Sequence, residues 1–457
     1  MRIFCKILAI SVVMSIALGS YATKAPVKMS KENAKHLRMM EKRELNTISS
    51  LSTSERTPIY YPESNHRDEN FSSFTLVDSS MNGYGLIVAP TRPLDVTDDG
   101  WLMVYRQFVE YPGGYSGQLG SAYSTDGENW TTYQNINAGG PGGTGMPMAR
   151  YPSAVMSNNF PYAFWNEYTG TGNPSYGGRL YYAWDQFGFG GGSWAYPQEV
   201  DPLWGTEKDL WVGSPSYSFD ANGGEYFNVA SADWTRGDAY LFTSEYVDPS
   251  GQIVFGTERQ MINEADWLVG GDDTGSYTSS PVLAMNDNGV GYYGVTAYWE
   301  GADEGLSPYD NNHTLFFRIT EDHGMTWSES GNYDGVPYYT ITDDVLDHVM
   351  STYFGTGFYD ECDQLEYTFD ELFAAYDFDM KVDSDGNPHI ILGLLPGGPD
   401  PVSGDEYIFP GEVGSGFYSF TIDRENIANP GDACDLSTGS CAGSTGWKYS
   451  FVTATHD

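Results

Sequence analysis

Closely spaced carboxylates are the first residues in this sequence whose type and spacing could bind a ligand. Asp383 and Asp385 open a D-x-D-G run that ends at Gly386, as calcium-binding loops begin. The run lacks the downstream glutamate that completes such a loop, and the same residue types also form hairpin turns. Asp383 and Asp385 are therefore candidates for a structural Ca²⁺ site, with a simple turn as the alternative. No other cofactor is expected, because no cysteine and histidine spacing is typical of zinc.

Aromatic side chains are a second possible binding element. Phe, Trp and Tyr make up 15% of the chain, with 35 tyrosines among them. Aromatic faces stack well on sugar rings, while hydroxyl and carboxylate groups hydrogen-bond the sugar hydroxyls. The alternative is that these rings pack between sheets. The composition therefore permits a glycan-binding surface without selecting its residues.

The net charge excludes two classes of partner. The chain has 62 Asp and Glu against 22 Lys and Arg, and its formal net charge is −40. A surface with this excess of carboxylates repels nucleic acid and anionic membranes. We therefore expect no nucleic-acid partner.

The N-terminus is typical of an exported protein. Arg2 and Lys6 precede the apolar run from Ile7 to Leu18, and a small-x-small cleavage site follows at 20–22. Residues 1–22 are therefore predicted to be a signal peptide. The run is short for a transmembrane helix, so we expect a secreted or cell-surface protein that does not span the membrane.

Residues 23–70 are predicted to precede the folded domain. Their first part is basic, with a helical pattern over 29–46, and residues 49–70 form a linker rich in Ser, Thr and Pro. The helix could be a mobile tether or a docking element for a partner.

A repeated strand–turn–strand pattern organises residues 71–457. In four copies a short segment with a proline leads through an Asx/Gly turn into an apolar, aromatic strand; the prolines are Pro93, Pro152, Pro215 and Pro281. A fifth copy without the proline turns at 383–386. A period of roughly 60 residues suits a four-stranded blade with loops. The sequence therefore predicts an all-β fold, a β-propeller of four-stranded antiparallel blades.

The two ends of the domain decide the expected number of blades. A C-terminal strand over 447–452 and an N-terminal strand over 74–77 would together close a sixth blade, which would leave no exposed sheet edge. Six blades are predicted, with seven as the alternative. An insertion at 331–375 breaks the period and is predicted to be a long loop or small helix over one face.

Two turns share an unusual residue pattern. Thr320, Asp322, Gly324 and Trp327 follow an apolar strand, and a shorter copy contains Ser124, Asp126, Gly127 and Trp130. The aspartate can accept hydrogen bonds from the backbone of its own turn, the glycine allows a positive φ, and the tryptophan can cover the turn.

These turns resemble the Asp-box (S/T-x-D-x-G-x-x-W) of BNR-repeat β-propellers in the sialidase-like superfamily. The turn at 320–327 has the full spacing, and the turn at 124–130 lacks one residue. The resemblance implies that the box residues are structural. It also implies that ligands bind around the central axis, near the start of the first strand of each blade and on the face opposite the boxes.

The same resemblance nominates site residues. Arg92, Arg106 and Arg150 stand near positions where sialidases carry arginines, and a guanidinium binds a sugar carboxylate through two parallel hydrogen bonds. Asp95 is the acid nominated beside Arg92. No motif selects the tyrosine nucleophile and its glutamate that a sialidase needs.

Three functions remain open at this point. The leading interpretation is a monomer that binds a glycan or another cell-surface partner. The alternatives are a glycoside hydrolase of exo-sialidase type and a structural or adhesive surface protein. Whether the protein is an enzyme is left undecided.

Three cysteines follow the predicted signal peptide. Cys434 and Cys441 flank a short Gly- and Ser-containing loop and are expected to form a disulfide in an oxidising compartment. Cys362 is then left over, either buried and inert or paired between chains.

Overall fold

The computed structural model describes residues 29–30, 75–78, 90–107, 117–139, 148–169, 177–201, 208–234, 237–266, 278–299, 312–332, 336–438, 441 and 444–454. The predicted signal peptide lies outside these residues, as does the predicted helix from residue 31 onward. Met29–Ser30, the start of that predicted helix, is instead a short strand, β1, which pairs with residues 407 and 408.

Within the described residues, five mainly antiparallel sheets, sheets 1 to 5, follow one another along the chain. Sheet 1 contains β2 (Leu94–Thr97), β3 (Gly100–Gln107), β4 (Gln118–Ser124) and β5 (Thr131–Tyr133). Sheet 2 contains β6 (Ala149–Met156), β7 (Pro161–Tyr168), β8 (Gly178–Trp184) and β9 (Gln198–Glu199). Sheet 3 contains β10 (Leu210–Phe219), β11 (Glu225–Asp233), β12 (Ala239–Val247) and β13 (Ile253–Phe255), and β14 (Arg259–Ile262) also pairs with β12.

Sheet 4 contains β15 (Val282–Met285), β16 (Gly291–Ala297), β17 (Thr314–Thr320) and β18 (Tyr339–Thr340). A two-stranded ribbon, β19 (Gly357–Asp360) with β20 (Leu365–Thr368), follows. Sheet 5 contains the strands β21 (Glu371–Val382), β22 (Pro388–Pro399), β24 (Gly416–Thr421) and β26 (Lys448–Ala454). Here β23 (Glu406–Ile408) also pairs with β22, and β25 (Cys434–Asp435) runs parallel to β26.

Alternation along each strand places apolar side chains on both faces of a sheet. Phe164 of β7 packs in a cluster shared with sheet 3, while its neighbour Trp165 packs in a cluster shared with sheet 1. This follows from the two-residue period of a strand. Similar clusters join sheets 3 and 4 through Leu241 and Tyr293, and sheets 4 and 5 through Tyr292. Each such ring or aliphatic chain contributes about 1.5–3 kcal/mol by burial.

The first strands of all five sheets surround one axis. Residues of β2, β6, β10, β15 and β21 line a single cavity. Backbone and side-chain hydrogen bonds join several of them directly, such as the amide of Ala154 to the carbonyl of Arg92 and the amide of Leu283 to Ser214 Oγ. Sheets in sequence order around a common axis, each with its first strand innermost, define a β-propeller.

The described residues form five blades, where the sequence predicted six. Lys448–Ala454 pairs with β24 as the fourth main strand of sheet 5, so it adds to an existing blade instead of starting another. The predicted N-terminal strand also differs, because Thr75–Asp78 belongs to no strand. Both differences arise because local sequence does not specify which strand, if any, a segment pairs with.

The insertion at 331–375 is more than a loop. It supplies β18, the fourth strand of sheet 4, and then helix α1 (Asp343–Val349), which continues into a π-helical turn at Met350–Phe354. Val345, Leu346 and Val349 are buried against the core shared by sheets 4 and 5. This segment therefore contains a small helix, and the helix packs against the core that the two sheets share. The described ranges also contain 3₁₀ turns at Glu264–Asp266, Arg424–Asn426 and Leu436–Thr438.

No helix in the described part of the chain is long and apolar enough to cross a membrane. The disulfide joins Cys434 and Cys441, whose Cα atoms are 5.4 Å apart. Cys362 is partly exposed and lies outside the disulfide.

Candidate functional site

The most prominent candidate site is a cavity of about 520 Å³ on the propeller axis, here called the axial cavity. All five innermost strands contribute to its wall, so it exists only because the sheets form a ring. It extends from Arg92, just before β2, to the turns that connect the first and second strands of the sheets. Volumes of this order are typical of small-molecule sites.

Arg92 reaches across the axis. Its Nη2 donates to the carbonyl oxygens of Met380 at 3.0 Å and Leu283 at 3.3 Å. The same nitrogen lies 3.2 Å from Asp379 Oδ1, and the Arg92 side chain is 16% exposed. One guanidinium thus connects sheet 1 to sheets 4 and 5. These contacts hold the guanidinium in place and occupy one of its terminal nitrogens.

Asp95 and Lys381 lie next to this arginine. Asp95 Oδ2 accepts a hydrogen bond from the amide of Met156 at 2.7 Å, and Oδ1 accepts one from the amide of Val96. Burial raises the pKa of the Asp95 carboxyl despite these bonds and despite the positive charges of Lys381 and Arg92. A carboxyl with a raised pKa can hold a proton and donate it to a ligand.

Lys381 carries the opposite perturbation. Burial lowers the pKa of its amino group, and the charge of Arg92 lowers it further, while Asp379 and Asp95 act in the other direction. Two cations and two carboxylates therefore share a small volume. An arrangement of this kind can hydrogen-bond a polar ligand through both donors and acceptors.

Apolar and aromatic groups form other parts of the wall. Leu94 and Val96 alternate with Asp95 on β2, and both are exposed, by 40% and 48%. Tyr217 and Phe219 of β10 also line the cavity. The Tyr217 ring is fixed, because its hydroxyl donates to Glu225 Oε1 at 2.9 Å and accepts from the amide of Asn158 at 3.0 Å. The cavity therefore combines hydrophobic surface with charged groups.

Carboxylates surround the end of the cavity at the strand turns. Asp98 and Asp99 belong to the turn between β2 and β3, and Asp287 belongs to the turn between β15 and β16. Their charges disfavour an anionic ligand at this end.

The predicted site residues do not all lie together. Arg92 and Asp95 line the axial cavity, but Arg150 and Arg106 are absent from its lining. Arg150 is buried and its Nη1 donates to the carbonyl oxygen of Ala149 at 2.9 Å. Arg106 is 1% exposed on β3, on the same face as Val104, which packs toward sheet 2. The expected cluster of arginines around the axis is thus not formed by these three residues.

A buried glutamate accompanies Arg150. Glu167 accepts hydrogen bonds from the amide of Met148 and from Trp165 Nε1, the latter at 2.9 Å. Burial raises the pKa of Glu167 to about 7, although these bonds and the charge of Arg150 lower it. Glu167 and Arg150 thus form a buried polar group in sheet 2, away from the axial cavity.

Of the two carboxylates proposed for calcium, that of Asp383 accepts hydrogen bonds within its own turn and from His389. Asp383 Oδ1 accepts from the amides of Asp385 and Asn387 at 3.0 and 2.8 Å, and its Oδ2 lies 3.2 Å from His389 Nε2. Among the described residues, no group of three or more His, Cys, Asp or Glu side chains could hold a metal ion. The geometry therefore corresponds to the hairpin-turn alternative.

The two box-like turns have matching hydrogen bonds. In the second, Thr320 Oγ1 donates to Asp322 Oδ1 at 2.9 Å, and Trp327 Nε1 donates to the carbonyl of Gly324 at 3.0 Å. In the first, Ser124 Oγ donates to Asp126 Oδ1, and Trp130 Nε1 donates to the carbonyl of Gly127, both at 3.0 Å. The aspartates and tryptophans therefore stabilise turns in both places.

These turns lie at the end of the sheets that the axial cavity reaches. Tyr123, one residue before the first turn, donates a hydrogen bond to the carbonyl of Asp99 at 2.9 Å. In sheet 4, the amide of His323 donates to the carbonyl of Gly289 at 3.0 Å. The resemblance implied a ligand site at the opposite end, whereas the axial cavity runs through to the turns beside the boxes.

Sequence reasoning missed Asp379 and Lys381. They alternate on β21 and come 287 and 289 positions after Arg92. The fifth strand–turn–strand copy could have identified these two residues, because its first strand had to face the same axis as Arg92. Charged residues at the alternating positions 377, 379 and 381 of this strand indicate a polar face there.

Comparisons with known proteins assign no family to the chain. No protein-family model matches it, and no curated protein matches it. Solved structures match with low identity. One is an α-L-arabinofuranosidase from Lactobacillus brevis, at 11% identity over 76% of this chain and 95% of that one, with a TM-score of 0.37.

Two further structures have the same level of similarity. An exo-1,5-α-L-arabinanase from a bovine ruminal metagenomic library is 11% identical over 74% of this chain and 94% of that one, with a TM-score of 0.35. A xylan β-1,4-xylosidase from Bacillus halodurans C-125 is 13% identical over 74% of this chain, with a TM-score of 0.33. The match spans 54% of the xylosidase chain.

Proposed function

We propose that the protein binds a carbohydrate in the axial cavity. One observation carries the proposal: the same cavity presents apolar and aromatic surface beside a cluster of hydrogen-bonding charges. A sugar ring has a weakly polar face that packs on such surface, and hydroxyl groups that bond both carboxylates and cations. A purely apolar ligand would shield the charges of Asp95 and Lys381 from water without offering either group a hydrogen bond.

The charges favour a neutral glycan over a sialic acid. Among the described residues, Arg92 is the one arginine in the lining, and its Nη2 is already used by Met380, Leu283 and Asp379. A carboxylate clamp needs a guanidinium with two available donors. The aspartates at the turns would also repel an anionic sugar. The sialidase alternative therefore has less support than neutral-glycan binding.

A second candidate function is hydrolysis of a neutral glycoside. Its support is the raised pKa of Asp95, which suits a general acid, together with a second carboxylate, Asp379, which contacts Arg92 Nη2. In this candidate Asp95 protonates the leaving oxygen and Asp379 serves as the second carboxylate. Because the sequence predicts a signal peptide, we also propose that either function operates outside the cell.

Binding is tested with neutral and sialylated oligosaccharides by calorimetry. Lys381→Met removes a charged donor from the cavity, and we expect roughly tenfold weaker binding or more. Lys448→Met is the matched control. Lys448 lies on β26, away from the axial cavity, and pairs with Asp423. Two results would refute the axial site. The wild type could bind neutral sugars with an affinity that Lys381→Met does not change, or it could bind no sugar at all.

Hydrolysis is tested on the same samples by following reducing ends. Arabinan, xylan and galactan oligosaccharides form the substrate panel. If the protein is a hydrolase, Asp95→Asn stops turnover while the sugar still binds, since the amide oxygen can accept from the Met156 amide. Binding without turnover in the wild type would leave the carbohydrate-binding proposal in place and remove the hydrolase.

A further inference from the structure

Lys381 differs from the other cations of the described residues that lie in sheets 1 and 5, because its amino group is not paired. The residue lies on β21, lines the axial cavity and is exposed to solvent. Arg92 pairs with Asp379, and Lys448 pairs with Asp423. In the described part of the chain, no hydrogen bond or salt bridge ties down Lys381 Nζ. A ligand in the cavity can therefore reach this nitrogen.

The groups around Lys381 are engaged with other partners. His389 stands opposite Lys381 on β22, and its Nε2 lies 3.2 Å from Asp383 Oδ2. Asp379 Oδ1 lies 3.2 Å from Arg92 Nη2. These contacts hold the neighbouring charges in place and leave the amine of Lys381 facing the cavity alone.

The surroundings of Lys381 favour the neutral form of its amine. Burial lowers the pKa of Lys381, and the positive charge of Arg92 lowers it further, although two carboxylates act in the opposite direction. Leu94 and Val96 add apolar surface to the same cavity. A lysine beside a second cation in a partly apolar site is a recognised route to a nucleophilic amine, since only the neutral amine has a free lone pair.

A group that can give and take a proton lies in the same cavity. The Asp95 carboxyl is held by the amides of Met156 at 2.7 Å and Val96 at 3.0 Å. Burial raises the pKa of this carboxyl, so that it can hold a proton, and the charge of Lys381 also acts on it. A neighbouring amine and carboxyl with opposite perturbations suit one reaction in particular. It is the condensation of an amine with a carbonyl group, in which a proton must be delivered to the departing oxygen.

We infer that Lys381 forms a reversible imine with the carbonyl group of a reducing sugar in its open-chain form. The lone pair of Lys381 Nζ attacks the carbonyl carbon, and the carbonyl oxygen takes the proton of the Asp95 carboxyl. The new ammonium group then returns one proton to Asp95, which passes it to the hydroxyl group on the same carbon. That hydroxyl group leaves as water while the nitrogen lone pair forms the C=N bond. The products are water and an iminium ion beside the Asp95 carboxylate.

The choice of a sugar as the carbonyl compound rests on the proposed function, in which the axial cavity binds a carbohydrate. The inference adds a covalent link at the reducing end. It therefore separates two ligands with the same hydroxyl groups. A methyl glycoside can occupy the cavity but cannot react, because it has no free carbonyl group, whereas the parent sugar can do both.

The test incubates the full chain with xylose, arabinose or galactose and sodium cyanoborohydride, which reduces an imine to a stable secondary amine. Peptide mass spectrometry then measures the adduct at each lysine over time. We expect Lys381 to be labelled at least about fivefold faster than Lys448. Lys448 is the internal control, because its Nζ donates to both carboxylate oxygens of Asp423 at 3.1 Å.

Asp95→Asn tests the proton transfer. The variant should label Lys381 roughly tenfold more slowly and Lys448 at the wild-type rate, while the methyl glycoside still binds in calorimetry. Equal labelling of Lys381 and Lys448, or labelling of Lys381 that Asp95→Asn does not change, would overturn the inference. If sugars still bind in that case, the proposed carbohydrate function stands. Failure of that function has a different result, in which neither the sugars nor their methyl glycosides bind, and the inference then falls with it.

Discussion

Glu167 should make the stability of the protein depend on pH. The residue has 0% exposure in sheet 2, and burial raises its pKa from an ordinary 4.5 to about 7. The folded state therefore binds a proton more tightly than the unfolded state. The stabilisation from this proton is complete below pH 4.5 and is lost as the pH rises through about 7. The variant that isolates the effect is Glu167→Gln, which cannot ionise.

The magnitude follows from the two pKa values. A pKa difference of this size corresponds to about 3 kcal/mol in total, most of which is lost between pH 5 and pH 8.5. Over that pH range, the free energy of unfolding should decrease more in the wild type than in Glu167→Gln, by this amount. Other titrating groups are common to both proteins and cancel in the difference. The amide keeps one of the two hydrogen bonds, so the variant carries a constant cost of about 1–3 kcal/mol.

The assay is urea unfolding followed by circular dichroism at several pH values, after reversibility is established. Glu366→Gln is the control, because Glu366 is an exposed glutamate on the β20 ribbon. Parallel pH profiles for wild type and Glu167→Gln would refute the reasoning. They would mean that Glu167 stays ionised in the folded protein, held by its two donors and Arg150.

Three further predictions concern local structure. Asp322→Ala should lower the free energy of unfolding by about 1–2 kcal/mol, because its carboxylate accepts several hydrogen bonds in the turn; an unchanged urea midpoint would contradict this. Gly331→Ala should cost at least about 2 kcal/mol, since a Cβ would lie 1.6 Å from the carbonyl oxygen of Tyr338; thermal unfolding measures it. Replacing Cys434 and Cys441 by alanine should cost roughly 2 kcal/mol through loss of a short closed loop, and a reductant should then have no further effect.

Much of the fold was predictable because its signals are local. The Asp98-Asp99-Gly100 turn and the apolar run after it predicted a hairpin, and β2 and β3 meet there. The number of blades was not predictable, because Lys448–Ala454 has the same residue pattern whether it joins the fifth sheet or begins a sixth. Its partner, β24, is chosen by packing across the sheet, and no residue within the strand encodes that choice.

The candidate site was predictable only in part, for a related reason. Arg92 and Asp95 were named from a local pattern, and both line the axial cavity. Arg150 had a similar pattern, but Tyr151 after it has a φ of +51°, and the β6–β7 register shifts before Ser153. A bulge of this kind changes the direction in which the preceding side chains point. Lys381 and Tyr217 required knowledge of which strands meet at the axis.

The contacts of Arg92 have a consequence for how the chain folds. Apart from β1, which pairs with β23, the described strands of each sheet pair with strands that are near in sequence, so the sheets can form early and independently. The contact between Arg92 and Asp379 instead spans 287 residues and carries a much larger entropic cost of closure. We expect the meeting of the first and fifth sheets to come last and to be slow. Until the first and fifth sheets meet, the axial cavity does not exist. A ligand of that cavity would therefore bind only protein molecules in which the ring of sheets has closed.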